Sequence, residues 1–203
     1  MCSAIASQGI VINLAPTPSV IGNNSVCDQA NEIYSTASAV GHTFNWTVNG
    51  GIILLGQGTN QITVHWNSPG ARNVTVRETI TATSAFADNT LLVDEHALPS
   101  NTLVVSDPIT CIGSSANIIV QGGEAGTDYT LRLDPANTIV MNIHNGSFVN
   151  VTFTVIPSVT TTYNVYATNE YSCSMQLTDL STVTINAVPV IGPVNSINSL
   201  NLR

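Results

Sequence analysis

Apolar side chains fall on every second position in the clearest stretches of this chain. Phe44, Trp46 and Val48 alternate with Asn45 and Thr47, and Ile62, Val64 and Trp66 repeat the pattern. Successive side chains of a strand point to opposite faces, so a period of two places one row in a core and the other in solvent. The pattern predicts strands over Glu32–Ala37, His42–Val48, Gln61–Trp66, Arg72–Ala82 and Thr90–Asp94 in the first half. In the second half it predicts Ser115–Gln121, Tyr129–Leu133, Ile139–Ile143, Val149–Val155, Thr161–Thr168 and Ser181–Asn186. No window has a persuasive 3.6-residue period, and Phe86–Leu98 is expected to hold a helical turn at most. Between the strands stand Asn49-Gly50-Gly51, Gly56-Gln57-Gly58, Ser68-Pro69-Gly70, Gly122-Gly123 and Asn145-Gly146. Asn-Gly between alternating runs signals a hairpin, because both central residues of a type I′ turn need positive φ.

Short strands at this spacing belong to β-sandwiches. The expected fold class is all-β, with two tandem sandwich modules at 22–100 and 101–189 and a boundary near Pro99-Ser100-Asn101. The two ends resemble each other. Both run from Cys-Ser through a polar stretch into an alternating strand (Ile10–Asn13; Val183–Asn186), then through proline to Val-Ile-Gly. Residues 1–21 therefore read as the terminal strand and linker of a preceding module, and 190–203 as a linker to a following one. The strand Ile10–Val20 would then have no parent sheet. The opening Met1-Cys2-Ser3 lacks the basic and apolar regions of a signal peptide.

Composition narrows the function. Only 8% of the 203 residues are charged, against about 25% in ordinary soluble domains. There is no lysine; the four basic residues are Arg72, Arg77, Arg132 and Arg203. A net charge of −8 with isolated arginines cannot neutralise a phosphate backbone, so nucleic acid is excluded as a partner. No apolar run of about 18 residues is present for a membrane-spanning helix.

The stretch from Val26 to Val76 resembles the PKD-like immunoglobulin modules of Bacteroidetes surface proteins. Val26-Cys27, Phe44-Asn45-Trp46-Thr47-Val48, Gly50-Gly51, Gly56-Gln57-Gly58-Thr59-Asn60 and Ile62-Thr63-Val64-His65-Trp66 carry the resemblance. The second half is similar to a related Ig-like module through Ile156–Val165, Thr168-Asn169, Cys173 and Val183-Thr184-Ile185. The physical reading places Trp46 and Trp66 as core anchors of facing sheets. The resemblance implies a secreted cell-surface protein of adhesin or gliding type, exported by the type IX route. The usual second cysteine late in the PKD-like module is missing from Ala82–Val93. Among the four cysteines the expected bridge is Cys111–Cys173, across the second module, with Cys2–Cys27 as a local tie and reduced, buried thiols as the alternative.

Candidate chemistry is sparse. Histidines fall at His42, His65, His96 and His144; solvent-facing positions explain His42 and His65, and Gly113-Ser114-Ser115 reads as a loop, not a nucleophile elbow. The carboxylates Glu124, Asp128 and Asp134 flank hairpins. Asp88, Asp94 and Glu95 lie close enough along the chain to share a calcium ion, the one cofactor the sequence suggests; solvated surface carboxylates are the alternative. Asn-x-Ser/Thr triplets at Asn23, Asn45, Asn73, Asn145 and Asn150 read as strand-surface polarity. The expectation is a non-catalytic structural or adhesive module, a stalk, spacer or filament segment. Its partners would be neighbouring modules of the same polypeptide or a homo-oligomeric assembly. The alternative is a carbohydrate-binding accessory module contacting surface glycans, which would require exposed aromatic rings.

Overall fold

The computed structural model describes residues 13–187. Cys2, the Ile10–Asn13 strand apart from Asn13, and the 190–203 linker lie outside the described residues. Fifteen strands and no helix occur among the described residues. The chain divides into two compact units: residues 13–98 with Tyr171–Cys173, and residues 99–170 with 174–187.

The first unit holds β1 (Ser25–Cys27), β2 (Asn31–Ser35), β3 (His42–Asn49), β4 (Gly51–Leu55), β5 (Gln61–Trp66), β6 (Gly70–Ile80) and β7 (Phe86–His96). One sheet runs β1-β7-β6-β3 and the other β2-β5-β4. β1 lies parallel to β7, while the other pairs are antiparallel. Their facing rows make a core of Val20, Val26, Tyr34, Phe44, Trp46, Ile62, Val64, Trp66, Val74, Val76 and Val93. Trp46 and Trp66 are both fully buried. Trp66 meets the Tyr34 ring edge to face at 6.0 Å and donates its indole N–H to the Tyr34 hydroxyl at 3.2 Å. That hydroxyl donates in turn to the Asn23 carbonyl. Burial pushes the Tyr34 phenol up to about 12, because the charged form would lose its water.

The second unit holds β8 (Ile109–Cys111), β9 (Ala116–Val120), β10 (Thr127–Leu133), β11 (Thr138–Asn145), β12 (Val151–Val155), β13 (Thr161–Thr168), β14 (Ser174–Gln176) and β15 (Ser181–Asn186). One sheet runs β11-β10-β13-β15-β8, with β14 added to β13; the other is the pair β9-β12. Its core centres on Ile118, Val120, Tyr129, Leu131, Phe153, Val165 and Leu177. Asn164, buried on β13, is fully engaged: Arg132 donates to its Oδ1 at 2.9 Å, and its Nδ2 donates to Asp134 and Asn137. A buried amide held this way fixes side-chain register as well as satisfying its own polarity.

Several expectations are corrected. The Phe86–Leu98 stretch holds no helical turn and is strand over Phe86–His96: β7 pairs with β6 over ten residues, Thr79↔Phe86 to Gly70↔Glu95. Asn49-Gly50 and Asn145-Gly146 do not close hairpins; they carry the chain from one sheet to the other, since β3 pairs β6 while β4 pairs β5, and β11 pairs β10 while β12 pairs β9. Only Gly50 of these four has positive φ, so neither corner meets the type I′ requirement. Val20 and Ile21, expected with a preceding module, belong to the first sandwich. Val20 is in its core, and Ile21 bridges to Ser35.

Candidate functional site

The Gly56–Asn60 motif has a structural role. Gly56 takes φ +87° so that the β4–β5 turn can fold back over β3. β3 is a sheet edge, paired with β6 on one side and leaving the other side of the Trp46 backbone without a neighbouring strand. The Gln57 amide takes that place: its Oε1 accepts from Trp46 N at 3.0 Å and its Nε2 donates to Trp46 O at 2.9 Å. Thr59 closes the turn by donating to the Gly56 and Gln61 carbonyls, and its own carbonyl accepts the Trp46 indole N–H at 2.8 Å. Asn60 donates to the Thr36 carbonyl. The motif therefore locks the Trp46 strand.

The candidate carboxylates are occupied separately. Asp88 and Arg77 form a two-point pair on the outer face of β6 and β7, both contacts 2.8 Å; the guanidinium holds the Asp88 carboxyl below its ordinary range. Glu95, on the opposite face of β7 from Asp88 and Asp94, points inward with its side chain fully buried. Its Oε1 accepts from Ser68 N at 2.8 Å, while Oε2 has no hydrogen-bond partner and stands 3.9 Å from Arg72 Nε. Burial raises the Glu95 carboxyl above its ordinary value. Asp88 and Asp94 thus face away from Glu95, and the three do not converge on one ion. Among the described residues no group of three or more His, Cys, Asp or Glu side chains is placed to hold a metal. Glu124 accepts from Ser100 N, Asp128 from His144, and Asp134 from Asn164.

The histidines are likewise engaged: His42 with Glu78, His65 with Asn31, His144 with Asp128. Ser25, His96 and Asp94 come together, but Ser25 Oγ (3.0 Å) and Asp94 Oδ2 (3.9 Å) both approach the same ring nitrogen, Nε2. A nucleophile–base–acid relay needs the acid on the opposite nitrogen from the nucleophile. Gly113-Ser114-Ser115 is the turn leaving β8, with Ser114 N bonded to the Cys111 carbonyl. Asn145 departs from its surface reading. It is buried, and its amide donates to the Glu124 carbonyl.

The expected Cys111–Cys173 bridge is not formed. Cys173 is bonded to Cys27, 146 residues away, and Cys111 is an exposed free thiol. The Cys2–Cys27 alternative falls with it, since Cys27 is already paired. The reason lies in the β13–β14 connection. Its tripeptide Tyr171–Cys173 belongs to the first unit, where Tyr171 stacks on His96 at 3.7 Å with the rings 7° apart. Cys27 and His96 are direct neighbours in the β1–β7 register. Ring stacking and disulfide thus hold the tripeptide at one spot on the first sandwich, while Cys111 sits at the end of β8 beside Asn186.

Residues 13–91 match the model of the PKD-like domain family. Over those residues the first unit is similar to a PKD-like domain. The chain as a whole is all-β and consists of tandem immunoglobulin-like sandwiches. Solved structures similar to it include the I-band fragment I67–I69 from titin, at 13% identity, covering 85% of this chain and 67% of that one, with a TM-score of 0.39. The fibronectin(III)-like modules of Clostridium thermocellum CbhA align at 7% identity over 83% and 95%, TM-score 0.43. The insect immune protein hemolin aligns at 13% over 84% and 47%, TM-score 0.45. No curated protein matches the sequence.

Proposed function

We propose that this chain is a non-catalytic structural or adhesive segment of a large, repetitive, secreted cell-surface protein, serving as a stalk or spacer that carries other domains. The observation behind this reading is the tandem architecture: two sandwiches in one chain, each built around its own core, with charged side chains such as Arg77, Asp88 and Arg132 engaged in holding strands. A disulfide supports an extracellular setting, where such bonds persist. The PKD-like match of the first module favours a surface protein of the Bacteroidetes type, with export by the type IX route as the matching expectation. Trp46 and Trp66 are sealed in the core and unavailable to stack on sugars, which favours the spacer over the carbohydrate-binding alternative.

The test is an in-frame deletion of this stretch from the displayed parent protein. A spacer predicts unchanged affinity of the distal domain for soluble ligand and reduced capture of ligand held on an opposing surface under flow. Lost affinity for soluble ligand, or glycan binding by the isolated chain, would overturn the reading.

A further inference from the structure

We propose that the Cys27–Cys173 bond is a load bypass that removes most of the chain's extensible length. Only covalent connectivity enters. A pull applied at the two ends reaches Cys27 from the N-terminal side, crosses two sulfur atoms to Cys173, and leaves through the C-terminal side. Residues 28–172 lie inside the closed ring, and with them β2 to β13. Tension along the chain therefore does not pass through the strands that make most of both cores. An unbridged pair of sandwiches would unravel once its non-covalent contacts gave way, because folded domains are only marginally stable. Here the slack that unravelling would release is locked behind a covalent bond. A bridge inside a single module, such as Cys111–Cys173, would shield only that module. The observed pairing spans the boundary at residue 98 and shields segments of both units. The biological use of this device rests on the spacer reading, but the mechanical behaviour does not.

An extended residue spans about 3.3–3.6 Å, so the ring between residues 27 and 173 stores about 500 Å of chain. The residues outside it can release at most about 200 Å. The experiment is single-molecule force extension of the full chain with handles at both termini. Without reductant, wild type is expected to lengthen by no more than about 200 Å. Dithiothreitol is then added under load. Its thiolate attacks one sulfur to form a mixed disulfide and expels the other as thiolate, and about 500 Å more should then be released as the two units unfold. The paired Cys27→Ala, Cys173→Ala variant should release the full length without reductant, and Cys111→Ser should behave as wild type. Release of about 700 Å by oxidised wild type would overturn the proposal, as would long release by Cys111→Ser alone. The oxidised and reduced wild-type traces decide the matter even if the paired variant does not fold. A failed surface-capture test with the expected traces would overturn the spacer role and leave the bypass standing.

Discussion

Opening the Cys27–Cys173 bond should be among the most destabilising changes available to this protein. In the chain-entropy model, a cross-link spanning 146 residues restricts the unfolded chain by about 5 kcal/mol at 25 °C. If the first unit unfolds alone, the freed loop is roughly half as long, and halving it lowers the figure by only about 0.6 kcal/mol. The expected loss for Cys27→Ala with Cys173→Ala is therefore about 4–5 kcal/mol as an upper value, strain and residual structure reducing it. A Cys111–Cys173 bridge, closing about 60 residues, would be worth nearly as much. The size of the loss does not separate the two pairings, but the identity of the sensitive cysteine does. Cys111→Ser alters an exposed thiol and should change stability by less than about 0.5 kcal/mol.

The readout is unusually direct. Both tryptophans, Trp46 and Trp66, lie in the first unit, so tryptophan fluorescence during urea unfolding reports that unit alone. A non-reducing peptide map gives the pairing independently. Cleavage after Arg72, Arg77 and Arg132 puts Cys27, Cys111 and Cys173 on three different fragments. The fragment ending at Arg72 should be joined to the fragment beginning at Leu133, and a Cys2→Ser background assigns that link to Cys27. A link from the 78–132 fragment, or a several-kcal/mol loss in Cys111→Ser, would refute the assignment.

Three further outcomes follow from the geometry. Glu95 has a raised carboxyl pKa in the fold, so the folded state binds its proton more tightly than the unfolded state. Its contribution is favourable below the unfolded value and is lost as pH rises through the folded one. Relative to Glu95→Gln, wild type should therefore gain stability as pH falls through that window, measured by urea unfolding across pH; a constant difference would contradict this. Gly56→Ala and Gly58→Ala share a backbone near φ +88°, but a Cβ at 56 would meet the Gln61 carbonyl oxygen at 2.0 Å and one at 58 meets nothing within 4 Å. Thermal unfolding should show about 1 kcal/mol lost at 58 and clearly more at 56; equal losses would show that the turn relaxes. Gln57→Ala and Gln57→Glu should each lose about 1–2 kcal/mol in urea unfolding, because the Trp46 edge needs both an acceptor and a donor. A harmless Gln57→Glu would mean that the donated bond contributes nothing.

How much of this was legible in the sequence depends on the strand. β3, β5 and β13 combine clean spacing with bulky apolar residues, and their positions follow from the pattern. After Phe86, β7 continues with Ala87, Asp88, Asn89 and Thr90, sets Leu91, Leu92 and Val93 in succession, and has the charged Glu95 at an inward position, so alternation of apolar residues is faint. β4 carries Ile52, Ile53, Leu54 and Leu55 in succession, which erases the period. β1, β8 and β14 are three residues each, too short to show one. A corner reads as a hairpin in the sequence because glycine marks a reversal without saying which sheet receives the next strand. The disulfide was illegible for a different reason: nothing local to Cys27 or Cys173 signals that the β13–β14 tripeptide is grouped with the first unit.

The two modules also share a feature that bears on how they resist a pull once the bond is open. In each, the short entry strand runs parallel to the last strand: Ser25↔Asp94 to Cys27↔His96 in the first, Ile109↔Thr184 to Asn186↔Cys111 in the second. Tension entering at the start of one strand and leaving at the end of its parallel partner slides the two past each other. The hydrogen bonds between them are then loaded together. An antiparallel entry strand would instead be peeled one bond at a time. In the first module this pairing ends at Cys27, the residue that anchors the covalent bypass, and Asp28 N adds a further bond to the His96 carbonyl. The sulfur bridge and the parallel strand pair thus act at the same point of the chain, the first removing load from the core and the second resisting what reaches it after reduction.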